Sequence, residues 1–301
     1  MKIQRVSHLL TILFLLSSFG IAQTKIIDRV DITTVGAPWM ISILGKDLDI
    51  NDVQAKPDRK SGYFLMKSES SGLNVSIFIE PVDKCYTGGE CRDFVLNLGN
   101  PAWGKFQDLK KSKIKDFSYF EFFRPEVQGK PLKMLDMYAE YVGQGYWIDL
   151  HISKVQYKKE DHLLFEDIVK SINFVPKNGS AGSGLEGTVE QGKQTVAAWL
   201  KLWDAAKCRE SYAALSSLSQ SGVEEKLWID YCDAANKALG KPKSRKLIAS
   251  SLIKLLPGKT NAPVAILGYQ SDFENRESVV ELVSSMLEKD GGWSVTNYLT
   301  R

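Results

Sequence analysis

The chain has 301 residues, 44% of them hydrophobic, which is enough for two domains of ordinary size with real cores. Its 39 basic and 36 acidic residues give a net charge of +3, which falls to +1 when Lys2 and Arg5 leave with the N-terminal leader. That near-neutral balance argues against a nucleic-acid binder, whose phosphate contacts need clustered Lys and Arg.

Lys2 and Arg5 precede a short apolar run, Leu9–Leu16, and Gly20-Ile21-Ala22 puts small residues at the −3 and −1 positions of a cleavage site. The pattern predicts a secretory signal peptide over residues 1–22, too short and wrongly flanked to span a membrane. No cysteine sits at the cleavage point, so no lipid anchor is expected, and no later stretch of 18 or more apolar residues occurs. The expectation is an exported chain, periplasmic or secreted, that is soluble after cleavage near Ala22 and has no membrane anchor.

The Gly- and Ser-rich stretch 177–187 has no apolar period and reads as a linker between a domain at 25–176 and another at 188–301. In the first half, Val75, Ile77 and Ile79 alternate with polar residues, as do Leu135, Met137, Ala139 and Tyr141, and then Tyr146, Ile148, Leu150 and Ile152. Period-two alternation predicts strands with one face on a core. Gln128-Gly129-Lys130 and Gly143-Gln144-Gly145 fit hairpin turns. Helices are expected at Arg92–Leu98 and at Glu160–Ile172, the second with the stripe Leu164, Phe165, Ile168, Val169, Ile172.

In the second half, Val189, Val196, Trp199, Leu200 and Trp203 mark a first helix, with Thr188-Val-Glu-Gln191 as its capping box. A short helix near Glu210–Ser217 and a third at Glu224–Leu239, ended by Gly240 and Pro242, precede four strands at Ser244–Leu256, Val264–Phe273, Ser278–Leu287 and Trp293–Leu299. Pro257-Gly258 and Asp290-Gly291-Gly292 are the turns.

Cys85, Cys91, Cys208 and Cys232 are an even set in an exported chain, which favours disulfides. Three pairings are possible; sequence proximity and the domain boundary favour Cys85–Cys91 and Cys208–Cys232. Chain-entropy arithmetic assigns about 2 kcal/mol to the short loop and about 3.5 kcal/mol to the longer one. The spacing Cys85-Tyr-Thr-Gly-Gly-Glu-Cys91 lacks the CxxC of redox motifs and zinc ribbons.

Trp39-Met-Ile-Ser-Ile-Leu, Gly62-Tyr-Phe-Leu, Asn74-Val-Ser-Ile-Phe-Ile-Glu80 and the closing Ile152-Ser-Lys with Leu164-Phe-Glu-Asp-Ile-Val-Lys-Ser-Ile-Asn-Phe174 resemble the PsbP/Mog-like α/β/α sandwich across nearly the whole first half. These are core and turn residues, so the resemblance implies a fold and a binding or accessory role, and brings no active site. Trp199-Leu200, Asp204, Ser211, Trp228, Leu239-Gly240, Ser244-Arg245, Leu256-Pro257, Tyr269-Gln-Ser-Asp-Phe273, Glu281, Asp290-Gly-Gly-Trp293-Ser-Val295 and Tyr298 resemble a bacterial domain-of-unknown-function family, four-zero-one-nine. Helices followed by a curved sheet is also the plan of a cystatin-like, nuclear-transport-factor-like cone. Cys208 and Tyr212 stand where that family pattern carries an aromatic and a Trp, which fits an added staple between helices. The expected fold class is therefore α+β in two domains: an antiparallel PsbP-like sandwich, then a cystatin-like cone.

The motifs for chemistry are weak. Gly187-Thr-Val-Glu-Gln-Gly192-Lys193 lacks the Ser or Thr that would hold magnesium, and no apolar strand precedes it. Asp149, His151 and Ser153 share a strand face, but such neighbours stand in parallel about 7 Å apart and do not converge as a triad must. His162 and Glu166, at i and i+4, have no evident third metal ligand. Asn74-Val-Ser76 and Asn178-Gly-Ser180 are glycosylation sequons, relevant only in a eukaryotic secretory pathway, and the bacterial resemblance sets them aside.

Arg245 and Glu281 are expected to pair across the cone's sheet. Trp199, Trp203, Trp228, Tyr269 and Trp293, with Arg245 and Glu281, line a possible pocket or else fill the core. No catalytic set, metal site or cofactor is expected. The leading expectation is a non-catalytic envelope protein binding another envelope protein or a small apolar ligand. The rival is a periplasmic enzyme using the cone, with Asp272 joining Arg245 and Glu281 as polar groups. Thiol titration of unfolded, non-reduced protein should find no free cysteine; four reactive thiols would rule out both staples.

Overall fold

The computed structural model describes residues 29–100, 103–127, 129–176, 186–253 and 262–301. The signal peptide, most of the linker, Gln128 and the Pro257-Gly258 turn lie outside the described residues. The order is β1 (Arg29–Ile32), β2 (Trp39–Leu44), β3 (Leu48–Ala55), β4 (Gly62–Ser68), β5 (Leu73–Pro81), α1 (Gly88–Leu98), β6 (Gln107–Ile114), β7 (Phe117–Val127), β8 (Lys130–Gly143), β9 (Tyr146–Lys154), α2 (His162–Ser171) and β10 (Asn173–Pro176). There follow α3 (Glu186–Asp204), α4 (Cys208–Ala213), α5 (Ser217–Gly222), α6 (Glu225–Leu239), β11 (Pro242–Ile253), β12 (Val264–Phe273), β13 (Val279–Leu287) and β14 (Trp293–Thr300).

The strands build two seven-stranded antiparallel sheets, so the fold is α+β. The N-terminal sheet runs β3-β4-β5-β9-β8-β7-β6. The second sheet runs β10-β2-β1-β11-β12-β13-β14 and takes strands from both ends of the chain. In this joint sheet β1 lies between β2 and β11, pairing Val30 with Ser251 and Ile32 with Ala249 on one side, and Val30 with Ile43 and Ile32 with Ile41 on the other.

The alternation read from the sequence supplies the core between the sheets. Val75, Ile77 and Ile79 on β5, Met137 and Ala139 on β8, and Ile148, Leu150 and Ile152 on β9 are buried with Val30, Ile32, Ile41 and Ile43 of the joint sheet in one continuous cluster. Each fully buried Val, Leu or Ile contributes about 1.5–3 kcal/mol relative to exposure. Helix α2 closes one side of this core with Phe165, Ile168 and Val169, and Ile172, the residue that ends it, is buried beside them. Helix α1 caps the outer face of the N-terminal sheet, with Cys91, Phe94 and Val95 against Trp147. Helices α3 to α6 cover the outer face of the joint sheet around Leu267, Val283, Val295 and Tyr298.

Polar contacts cross between the two halves as well. The Gln270 amide donates to the Lys56 carbonyl at 3.1 Å, and Arg59 and Arg301 pair with Asp272 and Asp52.

Several boundaries differ from the sequence-based expectation, each for a local reason. Helix α1 begins four residues early because the Thr87 side chain accepts from the Glu90 N–H and caps it there. Helix α2 starts at His162, after a 3₁₀ turn at Lys159–Asp161. Helix α3 already starts at Glu186, so Thr188 lies inside its first turn and is not the N-cap of a capping box. The single short helix expected near Glu210–Ser217 is two, because Ser216 caps α5 by accepting from the Ser219 N–H and the Leu215 segment bridges to Val295. Strand β11 spans Pro242–Ile253, starting two residues before the expected Ser244, and the expected end at Leu256 lies outside the described residues.

The ladder between β1 and β11 makes a specific demand. Full-length protein cut at a protease site engineered within 177–185 should elute as one species in size-exclusion chromatography. A 188–301 fragment expressed alone should aggregate through its unpaired β11 edge. Separate elution of the two pieces would show that this ladder does not hold them.

Candidate functional site

Strand alternation puts Arg245 of β11, Ser271 of β12, and Glu281 of β13 on the helix-covered face of the joint sheet. There Arg245 Nη1 and Nη2 donate to Asp204, at the end of α3, at 2.8 and 2.9 Å. Its Nε and Nη2 donate to Glu281 at 2.6 and 2.9 Å. Glu281 is fully buried and also accepts from the Tyr298 hydroxyl at 2.8 Å and from Ser271 Oγ. Burial works against the Arg245 charge, but the hydrogen bonds and charges of Asp204 and Glu281 outweigh it and raise its pKa. Tyr298 is raised by burial and by the Glu281 charge beside it, so it stays a neutral donor.

The aromatic residues of this half pack on one another beside that cluster. Trp199 stacks on Trp203 at 5.3 Å, Trp203 meets Tyr298 at 4.4 Å, and Trp228 lies edge-on to Trp203 at 5.7 Å. Both polar ends are satisfied within the group: Trp199 Nε1 donates to the Ser211 carbonyl at 2.9 Å and Trp228 Nε1 to Ser211 Oγ at 3.0 Å. The Cys208–Cys232 disulfide, Cα–Cα 5.7 Å, ties α4 to α6 in the same cluster. Tyr269 packs at its edge, its hydroxyl pushed up to about 12 by burial. Trp293 stands apart, at the start of β14 near Gly192, with its buried Nε1–H lacking an acceptor among the described residues.

Asp272 does not join Arg245 and Glu281. It is next to Ser271 on β12, so alternation turns it to the opposite face. There it accepts from Ser244 Oγ at 2.8 Å and from the Ser278 N–H at 3.1 Å, and pairs with Arg59 of the first half. The polar trio of the enzyme alternative is therefore split between two faces of the sheet.

The N-terminal sheet carries a second polar cluster that the sequence did not indicate. Arg124 of β7 donates through Nε and Nη2 to Asp136 of β8 at 2.7 and 2.9 Å. His151 Nε2 lies 2.9 Å from the same carboxylate and its ring stacks on Tyr138 at 4.2 Å. His151 thus turns across to β8, away from Asp149 and Ser153, and no triad forms among those three. Asp149 instead meets Glu140, its direct cross-strand partner on β8. His162 has carboxylates at both ring nitrogens, Glu121 at 2.8 Å and Glu166 at 3.5 Å. Among the described residues no group of three or more His, Cys, Asp or Glu is placed to hold a metal ion. The Cys85–Cys91 disulfide, Cα–Cα 5.1 Å, closes the loop leading into α1. Among the described residues no helix is long and apolar enough to cross a membrane.

Removing one partner from a buried ion pair leaves an uncompensated charge. Glu281→Ala should therefore lower stability by about 3–5 kcal/mol in chemical denaturation, whereas Arg209→Ala, breaking the exposed Arg209–Glu225 pair, should cost no more than about 1 kcal/mol.

No curated protein matches the sequence. The solution structure of the cyanobacterial PsbP protein (CyanoP) from Synechocystis overlays with 13% identity and a TM-score of 0.36, covering 52% of this chain and 98% of that one. A crystal structure from Bacteroides thetaiotaomicron overlays with 11% identity and a TM-score of 0.35, covering 83% of this chain and 88% of that one. The PsbP likeness of the first half recurs here only as a loose overlay, too loose to carry an argument. A family model does match the region that holds Arg245, Glu281 and the tryptophan cluster: residues 195–298 are similar to the family described as "Protein of unknown function (DUF4019)".

Proposed function

We propose that the protein is a non-catalytic, exported envelope protein that acts by binding another envelope protein, its 25–176 and 188–301 regions joined through the shared sheet. The observation that carries this is the use of the Arg245–Asp204–Glu281 cluster. Its charged groups are bonded to one another and sit beside a packed tryptophan core, so none is left poised as an acid, a base or a ligand for substrate. The same packing favours a partner protein over a small apolar ligand held inside the C-terminal domain. Two disulfides and the leader-like N-terminus support export, since such bridges persist in oxidising compartments.

Two measurements test the proposal. Cell fractionation should place a chain beginning near Gln23 outside the cytoplasm; an unprocessed cytoplasmic chain would overturn export. The full mature chain, used as bait in envelope extract, should capture a protein that then binds saturably when both are purified, with no turnover of ester, phosphomonoester or glycoside panels. Turnover that Glu281→Gln abolishes would establish the enzyme reading in its place.

A further inference from the structure

Glu140 and Asp149 lie directly opposite each other on β8 and β9, on the outer face of the N-terminal sheet. Glu140 is 0% exposed. Its Oε2 accepts from Trp147 Nε1 at 2.7 Å, while Glu140 Oε1 and Asp149 Oδ1 are buried and receive no donor from any other described residue. The two carboxyl groups contact each other, and a proton held between them satisfies both oxygens. Helix α1 sits directly on this pair. Its first residue, Gly88, packs so tightly that a Cβ there would come within 2.6 Å of the Glu140 carbonyl oxygen, and Phe94 of α1 packs edge-on against Trp147.

The surrounding charges do not neutralise a second ionisation. From β5, Glu80 faces Asp149 and repels its charge; from β9, His151 favours it but is bonded to Asp136, which Arg124 already holds. β7 offers only Ser118 opposite Glu140. On α1, Glu90 accepts from the Tyr86 N–H, and Arg92 pairs with Asp93, which also holds Lys111 of β6. Lys84, in the disulfide loop, sits over the Trp147 ring at 6.0 Å.

We propose that Glu140 and Asp149 form a one-proton latch under α1: the shared proton keeps the helix seated, and its loss drives the helix and its disulfide-closed loop off the sheet. Unseating α1 uncovers Trp147 and Val142 as an apolar surface, which gives the fold a pH-dependent face. The latch does not depend on the function proposed above.

The sign follows from the burial of the pair. Desolvation raises Glu140 well above its ordinary range, with the Asp149 charge adding to it, and lifts Asp149 to about 6 although the His151 charge and the Glu140 hydrogen bond lower it. Both are raised relative to the unfolded chain, so the seated state is favoured fully at pH below the ordinary carboxylate range. Asp149 ionises first, at about 6, which leaves the one shared proton on Glu140; the advantage of that last proton is lost only as pH rises further, through the higher value to which burial lifts Glu140. Asp49 on β3 is also pushed up, to about 7 by burial, and affects global stability, so the readout must be local to α1.

Hydrogen exchange on the full mature chain, expressed as protection factors at pH 7, where Asp149 is ionised and Glu140 keeps the shared proton, and at pH 10, is that readout. The α1 amides should lose at least about tenfold in protection at pH 10, the equivalent of one pKa unit, and more than the core amides of β5 and β9. In Glu140→Gln the amide donates permanently to Asp149, and α1 protection should be the same at both pH values. Wild-type α1 protection that does not change, or changes only as much as the core, would overturn the latch. So would a Glu140→Gln variant that keeps the wild-type pH dependence. Asp149→Asn gives the same comparison from the other side should Glu140→Gln not fold.

Discussion

The backbone ladder between β1 and β11 binds the fold together. A four-residue strand from the start of the described chain sits in the middle of a sheet whose other half is built from its end. Its two inward residues, Val30 and Ile32, are fully buried. Removing such a strand would expose both a hydrogen-bonding edge and the apolar floor of the core. Because this strand joins the halves, the joint sheet has one face on the N-terminal sheet and one on helices α3 to α6. That division decides which side of β12 a residue serves: Ser271 supports Glu281 under the helices, while Asp272 turns to Arg59 and the first half.

Buried charge is handled in two ways. Where an arginine is present, the group closes on itself: Arg124 forks onto Asp136, and Arg245 onto both Asp204 and Glu281. Desolvating such ions is costly, and their mutual bonds return that cost only when each donor and acceptor is engaged. Among the described residues no cation is bonded to Glu140 or Asp149, so the same burial expresses itself as proton retention. The two arginine clusters meet their carboxylates through direct ion pairs, whereas the Glu140–Asp149 pair answers burial by holding a proton.

The C-terminal helices show how a core can resemble a site. Trp199, Trp203 and Trp228 are numerous and large enough to line a ligand cavity, yet their rings meet one another and Tyr298, and Ser211 takes the polar edge of two of them. The disulfide between α4 and α6 is part of the same cluster, beside Trp228. Composition alone does not separate these outcomes, because a packed tryptophan and a ligand-binding one are the same residue until their neighbours are known.

What the sequence by itself determined is whatever repeats locally. Alternation in β5, β8 and β9, the stripe of α2, and the positions of β12, β13 and β14 follow from side-chain spacing, which chain geometry converts directly into a buried face. The proximity of the cysteines likewise indicated the two bridges. Strand β1 escaped notice because Arg-Val-Asp-Ile is too short to display a period. Strand β7 escaped because Phe120 and Phe122 are buried beneath Trp103 on the outer face while Phe117 and Tyr119 face the core, so its pattern does not alternate. Tertiary structure alone decided that β1 meets β11, that His151 turns to Asp136, that Asp272 parts from Glu281, and that Glu140 faces Asp149. Each of these joins residues on different strands, and strand order and register are set by the packing of the whole sheet, which no single segment encodes.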